Sequence, residues 1–201
     1  MDVVIPVYYD YASTLCYIAW RIVGELEREL GFKALWKGVP IALRLGMVRS
    51  GRALTQAERA KIMMVAAETG VDVVIPERWV DSQLALEGAE IAREKGVFDA
   101  YHAAVFDAFC QHGRDISQPE VLVELAQHVG LEPRQFLADL LSHRMAPRLL
   151  THKLEADRFS AVGYPSFLLG EFALIGVQHI DTMRLLFKRF IELRSQQELG
   201  N

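Results

Sequence analysis

The order of strand-like and helix-like segments constrains the fold of this chain more than any other feature. An apolar, β-like run at residues 3–9 leads into an amphipathic helix, and a second strand-like run follows at residues 32–39. Gly31 ends the predicted helix as a left-handed cap. Two strands joined by one helix predict a parallel βαβ unit, because parallel strands need a crossover connection. The start of the chain therefore predicts an α/β fold.

Helices separated by glycines dominate the middle of the chain. Capping-box patterns predict the starts of two of them, at residues 55–58 and 117–120. Pro133 and Pro147 suit the first turns of two more. These helices form a predicted all-helical insertion over residues 51–149.

Strand-like runs return near the end of the chain, at residues 166–169 and 172–177, on either side of a Gly-Glu turn. This pattern predicts a hairpin, and a last helix follows over residues 181–197. Residues 1–50 and 150–201 would then form one α/β domain that the helical block interrupts.

Composition excludes several classes of function. The 201-residue chain is 51% hydrophobic with a net charge of −4 and no basic block, so we expect no nucleic-acid and no membrane partner. Its first residues lack the pattern of a signal peptide, so a cytoplasmic location is expected. Two cysteines, Cys16 and Cys110, are too few for a disulfide scaffold. The six histidines show no metal-ligand spacing, so no metal is expected.

A serine and a cysteine mark the start of the first helix, as Ser13-Thr14-Leu15-Cys16. Helix N-termini stabilise anions, and a hydroxyl there could donate a hydrogen bond to a thiolate. Ser13 could equally be a plain N-cap. Cys16, one turn into an apolar helix face, is expected to be buried and inert rather than reactive.

A second stretch, "AVGYPSFLLG" at residues 161–170, resembles the cis-proline loop of the thioredoxin superfamily through its Gly-x-Pro-x-Phe run. The helical block resembles the DsbA-like branch. Residues 106–131 are similar to cytoplasmic members of that branch, which include FrnE-type oxidoreductases, 2-hydroxychromene-2-carboxylate isomerases and kappa-class glutathione transferases. The resemblance implies a thioredoxin fold with an all-helical insertion between its βαβ and ββα halves.

The motif at the first helix departs from that of the oxidoreductases in this family, which carry Cys-x-x-Cys. Ser13 matches the glutathione-dependent branches, Cys16 matches the oxidoreductases, and Thr14 stands where both usually have proline. Serine cannot form a disulfide, so ordinary cycling of a Cys-x-x-Cys pair is excluded.

The resemblance implies an enzyme that uses glutathione or a similar small thiol, with Ser13 stabilising the thiolate, for transfer, isomerisation or reduction of a hydrophobic substrate. The backbone of Tyr164, before Pro165, would pair with the extended thiol peptide. Gln178 and His179 are further candidates for contact with the thiol. The expected partners are the thiol, the small-molecule substrate and, in a homodimer, a second copy of the chain.

Two alternatives stay open. In the first, Cys16 is accessible and the protein is a thiol-disulfide oxidoreductase that works through this single thiol. In the second, the protein is a non-catalytic family member that binds peptides or another protein. Exposure of the Cys16 sulfur favours the first alternative, and a blocked thiol pocket favours the second.

Overall fold

A mixed four-stranded sheet lies at the centre of the computed structural model, which describes residues 3–41 and 50–199. Within these residues the strand order is β2-β1-β3-β4. The strands span Val4–Tyr9 (β1), Lys33–Gly38 (β2), Ser166–Leu169 (β3) and Phe172–Ile175 (β4). β1 pairs in parallel with β2, while β3 is antiparallel to both β1 and β4. The predicted βαβ unit and hairpin are therefore confirmed.

Eight helices lie within the described residues. They are α1 (Thr14–Leu30), α2 (Gln56–Thr69), α3 (Gln83–Glu94), α4 (Phe98–Cys110), α5 (Pro119–His128), α6 (Pro133–Leu141), α7 (Ala146–Arg158) and α8 (Ile180–Leu199). Gly31 ends α1 with φ +71°, as its position in the sequence predicts. Five helices, α2 to α6, form the predicted block between the two halves of the sheet. The expected α/β thioredoxin fold with a helical insertion is confirmed.

One of the two predicted capping boxes forms and the other does not. The Thr55 side chain accepts from the backbone N–H of Glu58, whose carboxylate in turn accepts from the backbone N–H of Thr55. The Ser117 hydroxyl instead donates to the Asp115 carboxylate at 2.6 Å, and α5 starts at Pro119 with Gln118 as its N-cap. The second prediction was wrong because a local turn uses the hydroxyl.

The two faces of the sheet are covered differently. Ile5, Val7 and Tyr9 of β1 point into the main hydrophobic core. Tyr8 points to the other face, where a smaller cluster includes Ala156 of α7. Alternation along one strand thus buries both faces.

The insertion shares its hydrophobic core with the sheet. Phe106 of α4 and Phe136 of α6 belong to the same buried cluster as Ile5 and Val7. Helix α7 runs through residue 150, the predicted boundary, and its Glu155 forms an ion pair with Lys37 of β2. The division at residue 150 therefore falls inside a helix that contacts the sheet, and the two halves of the molecule pack as one body around this core.

No helix in residues 3–41 and 50–199 is both long enough and apolar enough to cross a membrane.

Candidate active site

The turn between β1 and α1 places Ser13 at the N-cap of α1. Its backbone is extended there (φ −97°, ψ 107°), and its carbonyl accepts from the N–H of Cys16 at 2.8 Å. The Ser13 side chain makes no capping hydrogen bond. Ser13 therefore has the backbone conformation of an N-cap, as the N-cap interpretation of the sequence predicts. Its hydroxyl, however, does not accept a hydrogen bond from the helix end.

Asp10 holds this turn in place from inside the protein. Its carboxylate oxygens accept from the backbone N–H groups of Ala12 at 2.8 Å and Ile41 at 2.5 Å. Its backbone carbonyl accepts from the N–H of Ser13 at 3.1 Å. The side chain is 1% exposed, and burial raises its pKa despite a hydrogen bond from Ser82 and the two backbone donors. A single buried carboxyl thus fixes the turn to the segment that follows β2.

Cys16 faces away from the surface, into the main core. Its side chain is 0% exposed and its sulfur is a free thiol. Burial raises its pKa to about 12, and the Asp10 backbone and the Ser13 hydroxyl offset this only in part. Cys110 is likewise free and buried, and burial raises its pKa well above the ordinary value. The burial expected for Cys16 is observed, and it argues against Cys16 as a catalytic residue.

The cis-proline loop lies beside this turn. The Tyr164–Pro165 peptide bond is cis. The loop is fixed by a hydrogen bond from the backbone N–H of Gly176 to the carbonyl of Pro165 at 2.7 Å, and by the Ser166 hydroxyl, which donates to the carbonyl of Gly163. Gly163 and Tyr164 line the same cleft as Ser13. The structure therefore brings Ser13 and Tyr164 together.

Helix α2 forms the opposite wall of the cleft. Residues on either side of it pair with each other: the N–H of Trp79 donates to the carbonyl of Arg52 at 2.9 Å, and that of Leu54 donates to the carbonyl of Glu77 at 3.1 Å. This pairing closes the segment into a loop that carries α2. The result is a cleft of about 240 Å³ between the sheet domain and the insertion.

Most side chains lining the cleft are apolar. They include Leu15, Ile41, Leu54, Ile62, Pro76, Trp79 and Val162. Two charged side chains, Glu58 and Lys61, also line it. The Glu58 carboxylate accepts a hydrogen bond from the Arg52 guanidinium at 2.7 Å. This hydrogen bond is the main reason that the pKa of Glu58 falls to about 2. Lys61 has no carboxylate partner within the described residues, so it is the cation available to a ligand.

Gln178 and His179 do not line the cleft. Both side chains are exposed, and the His179 ring accepts instead from the backbone N–H of Asp181 at 3.3 Å. The prediction that they contact the thiol is therefore not supported. The backbone N–H of Gly176 donates to the carbonyl of Pro165, and the chain then continues to the start of α8 at Ile180.

Sequence reasoning missed Lys61 and did not assign Trp79 to the cleft. Lys61 sits on a predicted helix, but which face of that helix meets Ser13 depends on contacts far apart in the sequence. No group of three or more His, Cys, Asp and Glu side chains in the described residues could hold a metal ion.

Comparison with known proteins identifies the family of this chain. The family model of the DSBA-like thioredoxin domain matches residues 4–188. The chain belongs to the DSBA-like thioredoxin family. One relative, the uncharacterized protein YwbO of Bacillus subtilis, is 27% identical over 193 residues, which cover 90% of this chain and 94% of that protein.

Solved structures share the fold of this DSBA-like chain at low identity. A 2-hydroxychromene-2-carboxylate isomerase aligns with a TM-score of 0.77 at 17% identity, covering 99% of this chain and 100% of that one. A probable DsbA oxidoreductase from Streptomyces coelicolor also has a TM-score of 0.77, at 18% identity, with coverages of 95% and 91%. The cytosolic disulfide reductase DsbM from Pseudomonas aeruginosa, solved with GSH, has a TM-score of 0.69 at 18% identity, with coverages of 98% and 100%.

Proposed function

We propose that this protein is a thiol-dependent enzyme that binds glutathione, or a similar small thiol, with the sulfur beside Ser13. The bound thiol would serve transfer, isomerisation or reduction of a hydrophobic substrate. One observation carries the proposal: a serine hydroxyl that caps nothing lines a mostly apolar cleft at the N-terminus of a 17-residue helix.

Ser13 would stabilise the sulfur in its anionic form. Its hydroxyl can donate to a thiolate, and the N-terminus of α1 adds the positive end of the helix dipole. A hydrogen bond to a charged group contributes about 1.5–3 kcal/mol. When bound, glutathione supplies the nucleophilic sulfur that this chain lacks, since the Cys16 thiol is buried.

Lys61 would hold a carboxylate of the ligand at the other wall of the cleft. Glutathione carries two carboxylates, and Lys61 is the lining cation with no partner among the described residues. The cleft volume of about 240 Å³ lies just below the range of about 300–1,000 Å³ typical of small-molecule pockets. It suits the thiol end of the tripeptide, while the remainder would extend along Tyr164 toward the opening.

The apolar lining supports a hydrophobic substrate. Trp79 and Ile62 on the insertion side face the Ser13 turn, so a nonpolar group there would lie next to the sulfur. Excluding water from this space would strengthen the hydrogen bond from Ser13. The solved DsbM structure with GSH supports the choice of thiol by analogy of fold.

The alternative in which Cys16 acts as the redox thiol has little support. A thiol with 0% exposure and a pKa of about 12 offers almost no thiolate near neutral pH. The non-catalytic alternative predicts no preference for a free thiol over a blocked one, so the same experiment separates it from the proposal.

Calorimetric titration with reduced glutathione and with S-methylglutathione tests the proposal. We expect reduced glutathione to bind at least about tenfold more tightly, because only its sulfur can become the anion that Ser13 stabilises. Lys61→Met should lower the affinity for both ligands by a similar factor, because it removes the contact with a ligand carboxylate and leaves the contact with the sulfur intact. Equal affinity for the two ligands, or no binding of either, would refute the proposed function.

A further inference from the structure

Thr14, the residue after Ser13, carries a hydroxyl that the fold does not use. It is the first residue of α1, is 3% exposed and lines the cleft with Ser13. Its Oγ1 is buried and has no hydrogen-bond partner in the described residues. Ser13 and Thr14 are thus consecutive residues that both line the cleft and both carry a hydroxyl.

An unpartnered buried hydroxyl is costly. Leaving a buried polar group without a hydrogen bond costs about 1–3 kcal/mol, and such groups are rare in folded proteins. Valine has nearly the same shape without the hydroxyl, so packing alone gives no reason for threonine here. The carbonyl four residues earlier, that of Asp10, accepts from the backbone N–H of Ser13 and not from the Thr14 hydroxyl. A partner from outside the chain would satisfy the group.

We propose that the Thr14 hydroxyl is a second donor to the sulfur of the bound thiol, beside Ser13. This inference rests on the proposed function. A thiolate sulfur is large and accepts several hydrogen bonds at once, so two adjacent hydroxyls at one helix end can share it. The thiol proton is lost to solvent, while both hydroxyls keep their protons and donate.

This role makes Thr14 a specificity-determining residue. Two donors at the sulfur favour a ligand that ionises at that atom, and they penalise a thioether, which accepts hydrogen bonds weakly. With Ser13 alone the site would stabilise the anion through one side chain only. The pair therefore predicts a larger preference for free thiols than a single serine would give.

The test measures the pKa of the glutathione thiol bound to wild type, Thr14→Val and Thr14→Ser. The ultraviolet absorbance of the thiolate reports the titration as the pH is raised. Thr14→Val removes the hydroxyl and keeps the shape, so the pKa of the bound thiol should rise by about one pH unit. Thr14→Ser keeps a hydroxyl donor, so the pKa of the bound thiol should stay near its wild-type value. The melting temperature of the ligand-free Thr14→Val protein should equal or exceed that of wild type, because an unsatisfied group is removed.

The outcomes separate this inference from the proposed function. If Ser13→Ala raises the pKa of the bound thiol and Thr14→Val does not, Thr14 is not a donor and the proposed function stands. If ligand-free Thr14→Val melts well below wild type, its hydroxyl has a structural partner and the inference is wrong. If wild type does not bind glutathione, both fail together.

Discussion

Ser13 and Cys16 lie one helical turn apart, yet they have opposite environments. Ser13 is 8% exposed and lines the cleft, while Cys16 is 0% exposed and packs in the main core. Cys16 lies on the core-facing side of α1, which it shares with Ala19 and Val23. The difference teaches that membership of a motif does not decide which side chain reaches the cleft: Ser13, Thr14 and Leu15 line it, and Cys16 does not.

The largest expected effect concerns the reactivity of Cys16. A pKa near 12 instead of 9.0 reduces its thiolate fraction about a thousandfold near neutral pH. We expect iodoacetamide to label Cys16 in the native protein at least that much more slowly than in the unfolded chain. Mass spectrometry of timed samples measures both rates. If Cys16 in the native protein is labelled at the rate of an exposed thiol, Ser13 and Cys16 do not differ in accessibility, and the oxidoreductase alternative is favoured.

A smaller effect is expected from the carboxyl that supports the serine end. Asp10→Ala leaves the N–H groups of Ala12 and Ile41 without their acceptor, and each unsatisfied buried group costs about 1–3 kcal/mol. The free energy of unfolding, from urea titration, should fall by at least that amount.

Asp10→Asn is the matched control for this prediction, because its amide oxygen still accepts one of the two hydrogen bonds. Its free energy of unfolding should therefore lie between those of wild type and Asp10→Ala. An alanine variant as stable as wild type would show that the turn does not depend on this anchor.

The smallest effect tests the core beneath the turn. His102 is 1% exposed and hydrogen-bonds to the Tyr11 hydroxyl at 2.8 Å, and burial, helped by Arg93, lowers its pKa well below 6.5. Below pH 6.5 the unfolded chain binds a proton at this histidine and the folded protein does not. The free energy of unfolding should therefore fall as pH decreases, by up to about 1.4 kcal/mol per pH unit from this group.

His102→Asn should reduce that pH dependence by about one proton, measured by urea titrations between pH 5 and 7. His152, whose pKa burial also lowers, would contribute the remaining slope in the same direction. An unchanged slope in His102→Asn would mean that this ring is protonated in the folded protein.

Local signals in the sequence predicted most of the fold. Periodicity and Gly31 gave α1 and its end, and the Thr55–Glu58 pattern gave the start of α2. These signals succeed because caps and helix faces depend on neighbours within a few residues. The Ser117 pattern failed because Asp115, two residues earlier, competes for the same hydroxyl.

The site could be predicted only in part. Ser13 and Tyr164 came from the motif and the resemblance, and the structure places both at one cleft. Lys61 and Trp79 could not be predicted, because their approach to Ser13 depends on how the segment around α2 folds over the sheet domain. Gln178 and His179 do not line the cleft, because a resemblance transfers a position along the chain and does not transfer the path of a loop.

The central claim is that thiol chemistry at this site depends on Ser13 and on a bound thiol, and that Cys16 takes no part. The most direct measurement is the pKa of bound glutathione in Ser13→Ala beside Cys16→Ala, which keeps the core apolar. We predict that Ser13→Ala raises this pKa by about one to two pH units, while Cys16→Ala leaves it unchanged. A pKa that is unchanged in Ser13→Ala and altered in Cys16→Ala would contradict the account.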